Sequence, residues 1–112
     1  KSLFEGNVLI GENTKIDSQV HIGHNCNIGN NSVITGNSLL MGSVTIGNNV
    51  WIAPSSTISN KCQIEDDAFI GSMSLVNTNV DKGKKIMGVP AIDFNDYLKL
   101  IIQQKKYIQN GK

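Results

Sequence analysis

Aliphatic residues recur at every sixth position along most of this chain. Ile10, Ile16, Ile22, Ile28, Ile34, Leu40, Ile46, Ile52, Ile58, Ile64, Ile70 and Val76 run in unbroken register, and Phe4 extends the series upstream. Two residues before each stands a small or β-branched residue: Val8, Thr14, Val20, Cys26, Ser32, Ser38, Val44, Val50, Ser56, Cys62, Ala68 and Ser74. A period of six matches neither an amphipathic helix nor one long strand. Positions two apart on a strand point to the same side, so the two columns share a face. Between them lie mostly Gly, Asn, Asp and Ser, which tolerate left-handed backbone and make turns. Asn13, Asn25, Asn31, Asn37, Asn49 and Asn79 each sit three after an aliphatic and predict a repeated left-handed corner. The pattern therefore predicts short strand, corner, short strand, wound around an apolar axis with each turn stacked on the last.

Lys82 breaks the register, and Gly88 and Pro90 punctuate the chain after it. Past Pro90, the residues Phe94, Tyr97, Leu98, Ile101, Ile102 and Ile108 fall at helical spacing behind Asp93, a suitable N-cap. An amphipathic helix over roughly 93–109 is expected, capping the solenoid or packing in an oligomer. The chain thus divides into a solenoid, 1–91, and a helix with its tail, 92–112. Its 112 residues suffice for one domain of ordinary size. Ten basic and nine acidic residues leave a net charge of +1, with no basic block and no interleaved aromatics, so a nucleic-acid partner is not expected. No apolar run approaches the ~20 residues of a bilayer span. No secretory leader is visible and a cytoplasmic protein is expected, although Lys1 is no initiator methionine and the chain reads as an excised piece.

The hexads resemble those of the hexapeptide-repeat transferases. That resemblance implies an all-β solenoid: a left-handed parallel β-helix of hexapeptide repeats, triangular in section with three hexads per coil, here followed by a C-terminal α-helix. Residues 18 apart then stack at about 4.8 Å. Cys26 and Cys62, 36 apart, fall two coils or roughly 10 Å from each other, beyond the about 7 Å that a disulfide allows between Cα atoms. They are expected to be reduced core residues, and no metal site is expected. The residue before each aliphatic points outward, and every third such position shares a face. One face carries Lys15, Val33, Trp51 and Phe69; another His21, Leu39, Thr57 and Leu75; the third is polar, with Asn27, Thr45 and Gln63. Two apolar stripes are costly to leave in water, so sister subunits or the C-terminal segment are expected to cover them.

Both histidines lie in VHIGHNCNIG, residues 20–29. His21 precedes Ile22 on an outward face; His24 follows it at a corner, with Gly42 one coil up and Asn60 two coils up. On spacing alone His24 is either a solvated turn residue or a base able to take a proton near pH 7. In the second case the amide of Gly42, unobstructed by a side chain, could serve a developing oxyanion. HIGHN resembles the histidine motif of the acyltransferases of lipid A synthesis, and residues 8–91 can be laid on them without gaps. The similarity is greatest to the UDP-3-O-acylglucosamine N-acyltransferases, because Asn25 stands where the UDP-N-acetylglucosamine O-acyltransferases usually carry aspartate. The resemblance implies that His24 and Gly42 are catalytic and that His21, Asn25 and Asn60 meet the acceptor. It also implies that Gly71, Ser72, Gly88, Val89 and Pro90 line the donor arm, with Lys82, Lys84 and Lys85 near its phosphates. The chain departs from the pattern at Lys61, where the N-acyltransferases place a second histidine, and at Ser43 and Ser59, where the O-acyltransferases do.

The expected activity is acyl transfer from a thioester, acyl-CoA or acyl carrier protein, to the amine of an amino sugar, a nucleotide-linked one foremost. The thioester is a co-substrate; no permanently bound cofactor is expected, and the expected assembly is a homotrimer. A non-catalytic trimerisation scaffold of a larger enzyme and a sugar O-acetyltransferase are the alternatives.

Overall fold

The computed structural model describes residues 7–110; Phe4, the expected upstream member of the aliphatic series, lies outside them. Each hexad forms one two-residue strand made of an outward residue and its following aliphatic. In chain order these are β1 Leu9–Ile10, β2 Lys15–Ile16, β3 His21–Ile22, β4 Asn27–Ile28, β5 Val33–Ile34, β6 Leu39–Leu40, β7 Thr45–Ile46, β8 Trp51–Ile52, β9 Thr57–Ile58, β10 Gln63–Ile64, β11 Phe69–Ile70 and β12 Leu75–Val76. A four-residue strand, β13 Lys85–Gly88, a three-residue strand, β14 Ala91–Asp93, and a helix, α1 Phe94–Asn110, complete the elements of the described residues. Three parallel ladders result: β1-β4-β7-β10, β2-β5-β8-β11-β13 and β3-β6-β9-β12, with β14 running antiparallel on β13. Ile10 pairs with Ile28, Ile16 with Ile34 and Ile22 with Leu40, each 18 residues on. The molecule is a left-handed parallel β-helix with three flat faces.

Burial follows the two columns. Ile34, Leu40, Ile52, Ile58 and Ile70 are fully buried, each contributing about 1.5–3 kcal/mol. Ser32, Ser38, Ser56 and Ser74 are buried beside them. A buried hydroxyl needs a partner. In this column it reaches the carbonyl that opens the corner one coil up: Thr14 Oγ1 donates to Gly29 O at 2.6 Å, Ser32 Oγ to Gly47 O at 2.8 Å and Ser56 Oγ to Gly71 O at 2.9 Å.

The corners are left-handed at the third residue after each aliphatic, with φ of 58–61° at Asn13, Asn25, Asn31, Asn37 and Asn49. Gln19, Ser43, Ser55, Lys61, Asp67 and Met73 adopt the same backbone, so stacking imposes it beyond the residues that favour it. Asn79 is the exception, since its φ is not positive. The corner after Val76 is two residues short: Val80, rather than position 82, bridges to Ile64, and Ile86 pairs with Ile70 sixteen residues away. Val80 is buried, and Asn79 turns its Oδ1 to accept from Gln63 N at 2.9 Å.

Asp93 caps α1, accepting from Asn95 N at 3.0 Å, and the helix runs one residue later than expected at both ends. It packs on β13 and β14 and buries none of its residues fully. One apolar stripe stays open in the single chain, with Trp51 44 % and Phe69 37 % exposed, whereas Leu39 and Leu75 of the other are half-buried. Phe69 lies near the start of the helix, lining a cavity with Lys85 and Phe94.

Candidate active site

The edge between the β3-β6-β9 face and the β4-β7-β10 face stacks three corners, Gly23-His24-Asn25, Met41-Gly42-Ser43 and Ser59-Asn60-Lys61. Backbone bonds between coils fix their register: Gly23 N to Leu40 O at 2.8 Å, Ser43 N to His24 O at 2.8 Å, and Lys61 N to Gly42 O at 3.0 Å. The exposed imidazole of His24 lies directly over Gly42. A Cβ placed on Gly42 would stand 2.9 Å from Nε2 and 3.0 Å from Cε1 of His24, so the absent side chain makes room for the ring. Asn25 Nδ2 lies 3.3 Å from His24 Nδ1.

The amide of Gly42 has no protein acceptor among the described residues. On another edge, the equivalent amides are capped by the side chain one coil up: Glu12 N by Asn30 Oδ1, Asn30 N by Asn48 Oδ1 and Asn48 N by Asp66 Oδ1, at 2.7–2.8 Å. Asn60 occupies the corresponding place above Gly42, and no such bond forms. The edge therefore presents a ring nitrogen and a backbone donor without a protein acceptor, which suits a reaction in which one group gives up a proton while a neighbouring oxygen gains negative charge.

The other expected residues distribute as the triangular section dictates. His21 is exposed on the β3 face, beside Leu39 and one residue from the corner. Gly71 is buried under the Met87 side chain, and Ser72 is exposed next to it. Gly88 (φ +112°) packs on the Tyr97 ring and donates to Ser74 Oγ at 3.1 Å, while Val89 and Pro90 are exposed. All five belong to a second edge. Lys82 lies on the third, in a cavity of about 270 Å³ with Thr45, Gly47, Gln63, Glu65 and Asp66. Lys84 and Lys85 meet Asp93 and Phe94 in a neighbouring cavity. One chain brings His24, Gly42, Asn25 and Asn60 to one edge, with His21 beside it, and holds the donor candidates on the other two.

Cys26 and Cys62 are free and buried, and burial raises both thiols above their ordinary range. Cys26 does more than fill space: its Sγ donates to the Met41 carbonyl at 3.1 Å, directly behind the His24 corner. The signal in the sequence was that hydroxyl residues occupy the same column. No described helix is long and apolar enough to cross a membrane.

Residues 1–90 match the family described as GMPPB C-terminal domain. The chain is 35 % identical over 101 residues to UDP-3-O-acylglucosamine N-acyltransferase of Campylobacter curvus, covering 89 % of this chain and 32 % of that one. Among solved structures, UDP-N-acetylglucosamine O-acyltransferase (LpxA) of Moraxella catarrhalis superposes with a TM-score of 0.76 at 31 % identity, over 77 % of this chain and 34 % of that one. Soybean serine acetyltransferase superposes with a TM-score of 0.73 at 28 % identity, over 77 % and 40 %. The chain spans about a third of the length of the curated relatives it matches. With its hexads stacked in register and its match running through residue 90, the chain belongs to the GMPPB C-terminal domain family, within the hexapeptide-repeat acyltransferase superfamily.

Proposed function

We propose that this β-helix carries out acyl transfer, moving an acyl group from a thioester of coenzyme A or of acyl carrier protein to the amine of an amino sugar, free or nucleotide-linked. The observation that carries the reading is the His24 ring standing over Gly42, whose amide has no protein acceptor among the described residues. What the named relatives share is transfer of an acyl or acetyl group, although their acceptors differ.

In this mechanism His24 Nε2 takes a proton from the amine as its nitrogen attacks the thioester carbonyl. The tetrahedral oxyanion accepts from Gly42 N–H. Collapse breaks the carbon–sulfur bond, and the thiolate leaves with the proton returned by the imidazolium. Nε2 is free to accept when Nδ1 carries the ring proton, and an Asn25 carboxamide turned to present Oδ1 at the 3.3 Å contact favours that tautomer. His21 and Asn60 flank the acceptor. The donor arm uses Gly71, Ser72, Gly88, Val89 and Pro90, with Lys82, Lys84 and Lys85 toward its phosphates. Because these lie on other edges, the working unit is a homotrimer in which the edge of one copy faces that of the next. Of the described residues, those up to 91 make up its solenoid unit and those from 92 its helical unit.

Thiol release from acetyl-CoA and from acyl carrier thioesters, in the presence of a panel of amino sugars, tests the reading. His24→Ala should lower turnover at least about 100-fold while the circular dichroism spectrum is unchanged; a variant working near the wild-type rate would remove the assignment. The second reading is a non-catalytic trimerisation scaffold of a larger enzyme, in keeping with a chain that spans about a third of its curated relatives' length. Wild-type protein inert toward every donor and acceptor, yet trimeric, would select that role.

A further inference from the structure

The peptide bond between Met41 and Gly42 has its two polar ends in different surroundings. Its carbonyl accepts from the buried Cys26 thiol at 3.1 Å, and no backbone amide pairs with it among the described residues. The bond is trans, so its N–H points opposite to its C=O. A carbonyl drawn toward the interior leaves the Gly42 amide directed outward, beside the His24 ring. A hydrogen bond accepted at one end of a peptide unit also polarises the donor at the other.

The coil does not require a side-chain donor in this column. Val44, the next member of the same column on this edge, donates nothing, and the Ser59 carbonyl above it pairs with Cys62 N at 3.2 Å. Hydroxyls fit the slot equally well, as Ser32 does at 2.8 Å from Gly47 O. A donor at position 26 is therefore more than the fold demands, and it sits behind the one corner that pairs an imidazole with an open amide.

We propose that Cys26 is a positioning residue for acyl transfer: its S–H bond to the Met41 carbonyl holds the Met41–Gly42 peptide plane and strengthens the Gly42 N–H as donor to the oxyanion. The inference rests on the acyl-transfer reading of this edge. Its effect belongs to the transition state, so it appears in kcat rather than in KM.

The test compares Cys26→Ala and Cys26→Ser with wild type and His24→Ala, by thiol-release kinetics and by the amide resonance of Gly42 in protein labelled with ¹⁵N-glycine. That resonance is identified by its loss in Gly42→Ala. Cys26→Ala should lower kcat roughly three- to tenfold, below the full cost of losing an oxyanion donor, with KM unchanged within about twofold. The Gly42 amide proton should move upfield in the same variant. Cys26→Ser should restore both, since a hydroxyl donates more strongly than a thiol. An unmoved Gly42 resonance in Cys26→Ala overturns the proposal, as does a kcat loss that serine fails to repair in a folded protein. If wild type releases no thiol from any donor, acyl transfer falls and the catalytic use of Cys26 falls with it. Active wild type with an indifferent Cys26→Ala removes the role of Cys26 alone.

Discussion

A methyl group at position 42 would sit 2.9 Å from Nε2 of His24, inside ordinary contact distance. The obstructing atoms are the far end of an exposed side chain, so the ring can swing away while the backbone stays put. Gly42→Ala should therefore fold with a melting temperature within a few degrees of wild type and lose roughly 100-fold in turnover. Thermal melts read beside thiol-release rates separate the two effects. At this scale the sequence was partly legible. His24 and Gly42 could be placed in one column by counting eighteens, but whether the amide was free could not be counted. That depended on Asn60 leaving Gly42 uncapped, whereas Asn48 caps Asn30. The role of Cys26 was hidden for a related reason: a thiol two residues before an aliphatic reads as core, and its carbonyl partner lies fifteen residues away.

At the scale of strand and corner, glycine has a different job. A Cβ on Gly29 would stand 2.6 Å from the Gly47 carbonyl oxygen, a backbone atom that cannot yield without displacing a coil. At Gly36 the nearest atom is 3.5 Å away. Gly29→Ala is expected to cost about 2–3 kcal/mol in urea unfolding, whereas Gly36→Ala should change stability by less than about 1 kcal/mol. The six-residue register predicted each of the twelve short strands, because the constraint is local: one inward aliphatic per side of the triangle. It lost the thread after Val76, where deletion of two corner residues lets Val80 supply the buried side chain and keeps Asn79 out of the left-handed region. A solenoid needs its next inward residue in place more than it needs a constant corner length.

Across the whole molecule, the open stripe of Val33, Trp51 and Phe69 is the surface through which the proposed trimer would form. Trp51→Glu combined with Phe69→Glu should convert a trimer to monomers in sedimentation experiments while leaving the β-sheet signal intact, since both side chains point away from the core. The same variant should lose activity if donor and acceptor residues meet only between copies. Helix α1 does not take over the covering role, because it packs on β13 and β14 at the end of that face and leaves Trp51 and Phe69 exposed. The sequence by itself determined the coil, its inward columns and its outward stripes, because burying an aliphatic at every sixth position is a repeating, short-range demand. Tertiary stacking alone decided where the residues beyond the register break fall, that the Gly42 amide has no protein acceptor among the described residues, and which carbonyl the thiol reaches. Those depend on bonds between residues fifteen to eighteen apart, and the partner of each group comes into reach only when one coil closes over another.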